Sequence, residues 1–355
     1  MNLLEVIEGL VEERGLDKES VISAVCEGVL AAFQKKFPEV KLKVVFNRKS
    51  GELDALVEKE VVAVAKDKDC QISLRKAMVF DPKVKVGQLV DVLFEHKVGR
   101  IEILTAKQAI ANKIRGLEQS AIYNDFKDKE GTIVSGTAYK RESSGFAVKM
   151  GEVTALLPNE NMIPMENLRA GLPIRALLRD VLSVARGDYQ LILDRASADF
   201  VKGLLEIEIP EVFERVVEVK KIVRSPGYKT KIVVISNSPE IDPVGTCVGV
   251  GGSRIKPILR ELGQEKIDLI QGTNSLEELV KNSLKPAEID KVAIQGDRVA
   301  VVWLAQDQRS LAIGKMGQNI GLASRLVGIE IQLQDVVSGG ESFDDFAALR
   351  DSVKK

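Results

Sequence analysis

Two short glycine loops carry the residues best placed for chemistry in this 355-residue chain. They are Gly249-Val250-Gly251-Gly252 and Gly314-Lys315-Met316-Gly317. A glycine has no Cβ, so the backbone there can lie close against another molecule. Each loop runs into an apolar-periodic segment, Arg254–Leu262 and Gln318–Val327. The first N–H groups of a helix formed there would point toward the loop and favour an anion. Arg254, Lys256 and Arg260 follow the first loop, and Lys315 lies inside the second. Gln318 and Asn319 open the second segment with amides suited to base edges or phosphates. Pro257 fits a first helical turn, where N–H groups lack partners anyway. The chemistry implied is a grip on a sugar-phosphate chain, not bond-making. The bland alternative is a pair of plain helix–helix turns. A second basic run, Lys220, Lys221, Arg224, Lys229 and Lys231, is either a phosphate-facing patch or a solvated strand face.

Residues for covalent chemistry are missing. The one histidine, His96 in Phe94–Val98, has no metal-spaced companions and reads as a surface residue. Cys26, Cys70 and Cys247 form neither a CxxC nor a disulfide framework and read as free thiols. The Gly249–Gly252 cluster lacks the Lys-Ser/Thr of a phosphate-binding P-loop. No GxSxG nucleophile elbow occurs. The chain is therefore expected to be no enzyme and to need no metal or cofactor. Lys+Arg number 51 and Asp+Glu 52, a net charge of −1, which excludes a uniformly basic surface but not a local basic patch. No apolar run reaches the ~20 residues of a membrane span. The first residues carry Glu5 and Glu8 and no basic stretch, unlike a signal peptide. A cytoplasmic location and a monomer are expected.

The elements that must position the loops follow from periodicity. Asp17–Phe37 carries a helical apolar stripe, with Asp17 or Ser20 as its cap. Short strands follow at Val40–Phe46 and Leu53–Ala65. Ile103–Tyr123 returns to helical period as a strut. From Gly131 to Arg195 five short β-prone runs, Thr132–Ala138, Phe146–Met150, Val153–Leu157, Ile174–Val184 and Tyr189–Leu193, suggest a small antiparallel barrel of the OB type. The remainder holds a repeat: strand, strand, short helix, GxxG, helix, strand. Its first copy uses Val216–Val223, Lys231–Ile235, Pro243–Val248 and Ile267–Ile270 around the first loop. Its second uses Val292–Ile294, Val299–Leu304, Arg309–Ile313 and Ile329–Leu333 around the second. With 28 glycines, a lone GxxG arises by chance about twice in such a chain, so the weight lies in the repeated surroundings. KH modules clamp about four nucleotides with this arrangement.

An α/β head, an OB-type barrel and two adjacent KH modules resemble the NusA family of transcription factors. The strings Arg224–Lys231, Ile241–Gly249, Leu284–Glu288, Ile313–Asn319, Leu322–Ser324 and Thr105–Gln108 carry the resemblance, which covers nearly the whole chain. The implied organisation is multidomain α+β. Residues 1–127 would form the head with its strut helix, and 131–197 the barrel of the ribosomal S-one type. Residues 198–274 and 275–338 would be the first and second KH domains, both of type II and packed as one RNA surface. Residues 339–355 would be a polar tail. The resemblance implies an elongation factor whose head binds RNA polymerase near the RNA exit. The barrel and KH pair would hold nascent single-stranded RNA, and pausing, termination and antitermination would be modulated. Other antitermination factors would be further partners.

Two departures stand out. Barrels of this type often stack aromatics on bases, but Ser144–Val148 offers only Phe146, which reads better as core. The chain also stops soon after Ser338–Glu341, before the acidic repeats that some family members carry. Two other readings use the same modules. A ribosome-assembly or translation RNA-binding protein would co-sediment with ribosomal subunits. An RNA-processing nuclease would need a catalytic domain, and none is visible in the sequence.

Overall fold

The computed structural model describes residues 3–48, 50–65, 70–80, 83–94, 99–296 and 298–335. His96 and the tail 339–355 lie outside the described residues. The chain divides into two compact units, residues 1–128 with 181–190, and residues 129–180 with 191–355.

The first unit opens with α1 (Leu3–Arg14) and α2 (Lys18–Lys36). Asp17 caps α2 by accepting from the Ser20 N–H at 2.9 Å. β1 (Leu42–Asn47), β2 (Glu52–Val62), β3 (Gln71–Ser73), α3 (Leu74–Phe80) and β4 (Leu89–Leu93) follow. β2 is central: it pairs antiparallel with β1 and β4 and parallel with β3. α4 (Arg100–Phe126) runs a few residues past each end of the expected strut, because its polar ends carry no apolar period. α2 and α4 approach closely at Gly28, where a Cβ would stand 2.5 Å from Ile110 Cγ1. Lys113 donates to Glu27 at 2.6 Å along the same contact.

The barrel is a closed ring of β5 (Ile133–Arg141), β6 (Gly145–Met150), β7 (Val153–Pro158), β8 (Pro173–Arg186) and β9 (Tyr189–Asp194), in the order β5-β6-β7-β9-β8. It is not antiparallel throughout, because β9 returns alongside β7 in the same direction at Leu156 and Ile192. Phe146 is buried with Ala147, Leu157, Leu178 and Leu191, so it is core.

The first KH fold begins with α5 (Ala198–Glu208) and α6 (Pro210–Phe213), which the apolar pattern had not marked. β10 (Val217–Ser225), β11 (Lys229–Ser236), α7 (Pro243–Val248), α8 (Ile255–Leu262) and β12 (Lys266–Gln271) complete it. β11 pairs antiparallel with β10 and parallel with β12. The second KH fold repeats this as α9 (Leu276–Ser283), β13 (Lys291–Gln295), β14 (Val299–Leu304), α10 (Arg309–Ile313), α11 (Gln318–Val327) and β15 (Glu330–Asp335). Its β14 is likewise antiparallel to β13 and parallel to β15. A leading helix and a third strand parallel to the second make both folds type II. Leu326 of α11 packs with Val233 and Ile270 on the sheet of the first KH fold, which joins the two.

A buried polar joint ties the barrel to the first KH fold. Arg195, 2% exposed, donates to Glu166 Oε1 at 2.5 Å and Glu261 Oε1 at 2.6 Å. Arg175 on β8 donates to Glu261 Oε2 at 3.1 Å and Glu208 Oε1 at 2.7 Å. These five ionised groups can share the joint because each is paired and hydrogen-bonded.

Candidate nucleic-acid interface

The two glycine loops are built alike. Asp242 caps α7 by accepting from Val244 N–H (3.1 Å) and Gly245 N–H (3.0 Å), and Pro243 takes the first turn. α7 ends at Gly249, with φ 71° and ψ 167°. α10 ends at Gly314, with φ 70° and ψ 178°. Only glycine populates that region readily. A Cβ on Gly249 would lie 2.8 Å from Ser253 Oγ, and one on Gly314 would lie 2.7 Å from Asn319 Cβ. The third positions, Gly251 (φ 60°) and Met316 (φ 55°), are left-handed, as are Gly252 (φ 77°) and Gly317 (φ 73°). Gly252 N–H donates to Gly249 O at 3.0 Å, and Gly317 N–H to Gly314 O at 3.2 Å. Side chains of both loops stand outward: Val250 is 95% exposed and Met316 88%, with Lys315 exposed beside it.

The expected contacts divide into surface and interior groups. Lys256, Arg260, Lys315, Lys220 and Lys221 are exposed. Lys220 also lies 2.8 Å from Glu218. Arg254 braces the first loop, donating to Glu211 Oε2 at 2.8 Å and Thr246 O at 3.0 Å. Gln318 is partly buried at the start of α11.

The remaining residues of the basic run do not face outward. Arg224 donates to both Glu265 oxygens at 2.9 and 2.8 Å, and to Arg195 O and Ser197 O. Lys229 and Lys231 both donate to Asp268 Oδ2, at 2.9 and 2.7 Å. Burial lowers the Lys231 ammonium below the usual lysine range, although Asp268 draws it back up. Asn319 is buried, and its Nδ2 reaches the carbonyls of Leu284, Leu311 and Ala312, each at 3.2 Å. The expectation that these four side chains present themselves to RNA is corrected: their polar groups are committed inside the fold. The alternation of the basic run mixed its two faces. Lys220 and Lys221 lie outside, whereas Lys231 and Arg224 lie on sides that α11 and Glu265 cover.

The braces Glu211, Asp242 and Asp268 were missed as contributors. Only Asp242 had a local signal, an N-cap residue followed by proline.

The loops and their surroundings agree with what the chain is similar to. Models for the NusA N-terminal domain, the NusA-like first KH domain and the NusA-like second KH domain match residues 2–120, 195–272 and 276–338. A Rickettsia conorii protein is 35% identical over 339 residues, covering 94% of this chain and 67% of that protein. A Thermus thermophilus protein is 33% identical over 348 residues, covering 94% and 89%. A Bacillus subtilis protein is 33% identical over 342 residues, covering 96% and 92%. Each of the three is named transcription termination/antitermination protein NusA.

The chain belongs to the NusA family.

In NusA terms, both glycine loops fall inside the KH matches, at residues 249–252 and 314–317. The barrel lies between the NusA N-terminal match and the first KH match. Among the described residues no helix is long and apolar enough to cross a membrane.

Proposed function

We propose that this chain is a transcription factor that binds RNA polymerase through residues 1–127 and grips nascent RNA with its two KH loops. It lengthens or shortens pauses and thereby biases termination against antitermination, with no covalent step. The observation that carries this reading is the matched pair of loops. Two backbone turns of the same left-handed form each present close-approach glycines, an exposed apolar tip and neighbouring lysines. Such turns suit a phosphate chain, which a backbone can approach closely and lysines can neutralise. The names of the relatives support the transcriptional setting.

Working domain limits are residues 131–197 for the barrel, and 198–274 and 275–338 for the KH domains. RNA contacts are assigned to Gly249–Gly252, Lys256, Gly314–Gly317, Gln318, Lys220 and Lys221, with Arg254 holding the first loop in shape. The test is the lifetime of a hairpin-stabilised pause in a purified elongation complex. A change that requires residues 1–127 is expected. No change with a folded protein would overturn the reading.

A further inference from the structure

A lysine of the first KH fold reaches the side chain that holds the second glycine loop together. Lys229 opens β11, and its Nζ donates to Asn319 Oδ1 on α11 at 3.4 Å. The same ammonium donates to Asp268 Oδ2 at 2.9 Å, where Lys231 also donates at 2.7 Å. Both lysines are buried. An ammonium has three donors and no acceptor, so it can address only the oxygen of the Asn319 amide. That leaves Nδ2 turned toward the carbonyls of Leu284, Leu311 and Ala312.

Leu311 and Ala312 end α10, just before the second loop. Asn319 lies in the first turn of α11, just after it. The amide therefore ties together the two helices that frame Gly314–Gly317. Asn319 also packs against the loop itself, since a Cβ on Gly314 would lie 2.7 Å from its Cβ. Lys229 fixes which way round that amide faces. The first loop is held differently, by Arg254 from within its own fold.

We propose that Lys229 is a positioning residue for the second loop: through Asn319 it sets that loop in line with the first along one RNA strand. The inference rests on the RNA-binding reading above. Each loop suits about four nucleotides. An RNA long enough to reach both gains from the second contact only as far as the geometry lets both engage at once. Loss of the Lys229 contact should therefore be felt by a bridging RNA and not by one held in a single loop. The folds stay joined without it, because Leu326 still packs with Val233 and Ile270. Asp268 also keeps Lys231 as its partner.

The experiment measures binding of the full chain to two labelled, unstructured RNAs of about 5 and about 15 nucleotides, one for a single loop and one for both. Lys229→Met keeps the stem and removes the donor. It is expected to weaken binding of the longer RNA by about fivefold or more, and of the shorter by less than about twofold. The slope of log affinity against log salt is expected to stay the same, because the ammonium faces protein. Thermal unfolding checks the fold, and Lys229→Gln is read in the same way should Lys229→Met not fold. Unchanged affinity for the longer RNA, or equal losses for both RNAs, would overturn the inference. So would a salt slope lowered by about 1, which would put Lys229 on a phosphate. Charged variants of the glycine loops, run alongside, test the wider RNA reading separately. Their loss of affinity beside an unaffected Lys229→Met would overturn the positioning role alone.

Discussion

Gly251 and Met316 hold the same left-handed backbone at the third position of two separate loops, at φ 60°, ψ 21° and φ 55°, ψ 28°. The shape of the turn is therefore set by its place between two helices rather than by residue type there. Met316 keeps it at a cost of about 1–2 kcal/mol, the usual penalty for a side chain in that region. The first glycines differ in kind, since a Cβ there meets the following helix. Met316→Gly is expected to be neutral or to stabilise by up to about 1 kcal/mol, because glycine's extra unfolded-state entropy offsets part of the relieved strain. Gly249→Ala and Gly314→Ala should destabilise by about 1–3 kcal/mol. Thermal unfolding reads all three.

The joint at Arg195 should be sensitive to its loss and to acid. Arg195→Ala strands Glu166 and leaves Glu261 with Arg175 as its remaining partner, and a cost of about 3 kcal/mol is expected in chemical denaturation. Burial alone would push the Glu261 carboxyl up, but hydrogen bonding and charge from Arg195, with help from Arg175, hold it below its ordinary value of 4.5. A depressed carboxyl adds stability that is complete above the unfolded value and fades as pH falls through the folded one. Stability from this joint should thus be flat at neutral pH and decline below about pH 4.5. Glu261→Gln should remove that part of the acid dependence.

Thiol reactivity should rank the three cysteines by burial. Cys70 is exposed, Cys26 is partly buried and Cys247 is buried. Burial, with Glu211 nearby, pushes the Cys247 thiol up to about 11. At neutral pH a thiol reagent should modify Cys70 first, and Cys247 only when the first KH fold opens. Mass spectrometry of labelled peptides follows each site.

Charge on the basic run should separate into two behaviours. Lys221→Ala should weaken RNA binding modestly and lower the slope of log affinity against log salt by about 1. Arg224→Ala should leave that slope unchanged and lower the unfolding midpoint, because its guanidinium serves Glu265 inside the fold. A reduced salt slope in a well-folded Arg224→Ala protein would contradict the burial argument.

Much of this organisation was legible in the sequence. The stripe through Val21, Val25 and Phe33 marked α2, and the glycine–proline punctuation around Val153 and Pro173 marked the barrel strands. The repeat around Gly249 and Gly314 located both loops, because the same order of elements recurs with the same loop. Helices α5 and α9 were not marked although Phe200, Val201, Leu204 and Leu205, and Leu276, Leu279 and Val280, stand at helical spacing; each is short and lies outside the repeated run from strand to strand that drew the reading. The inward turn of Arg224 and Lys231 was not legible either. Their partners Glu265 and Asp268 lie across the sheet on β12 or just before it, and pairing at that distance is set by topology.

The most direct test of the central claim is RNA affinity with charge placed on each loop. Val250→Asp with Gly251→Asp, and Lys315→Asp with Met316→Asp, put carboxylates where a phosphate chain would lie. Asp tolerates the left-handed backbone at the third position better than most residues, so the turns should survive. Binding to a single-stranded RNA at moderate salt should weaken in each variant and further in the combination, with a cooperative unfolding transition retained. Undiminished affinity in the folded combined variant would contradict the assignment of these loops as an RNA clamp.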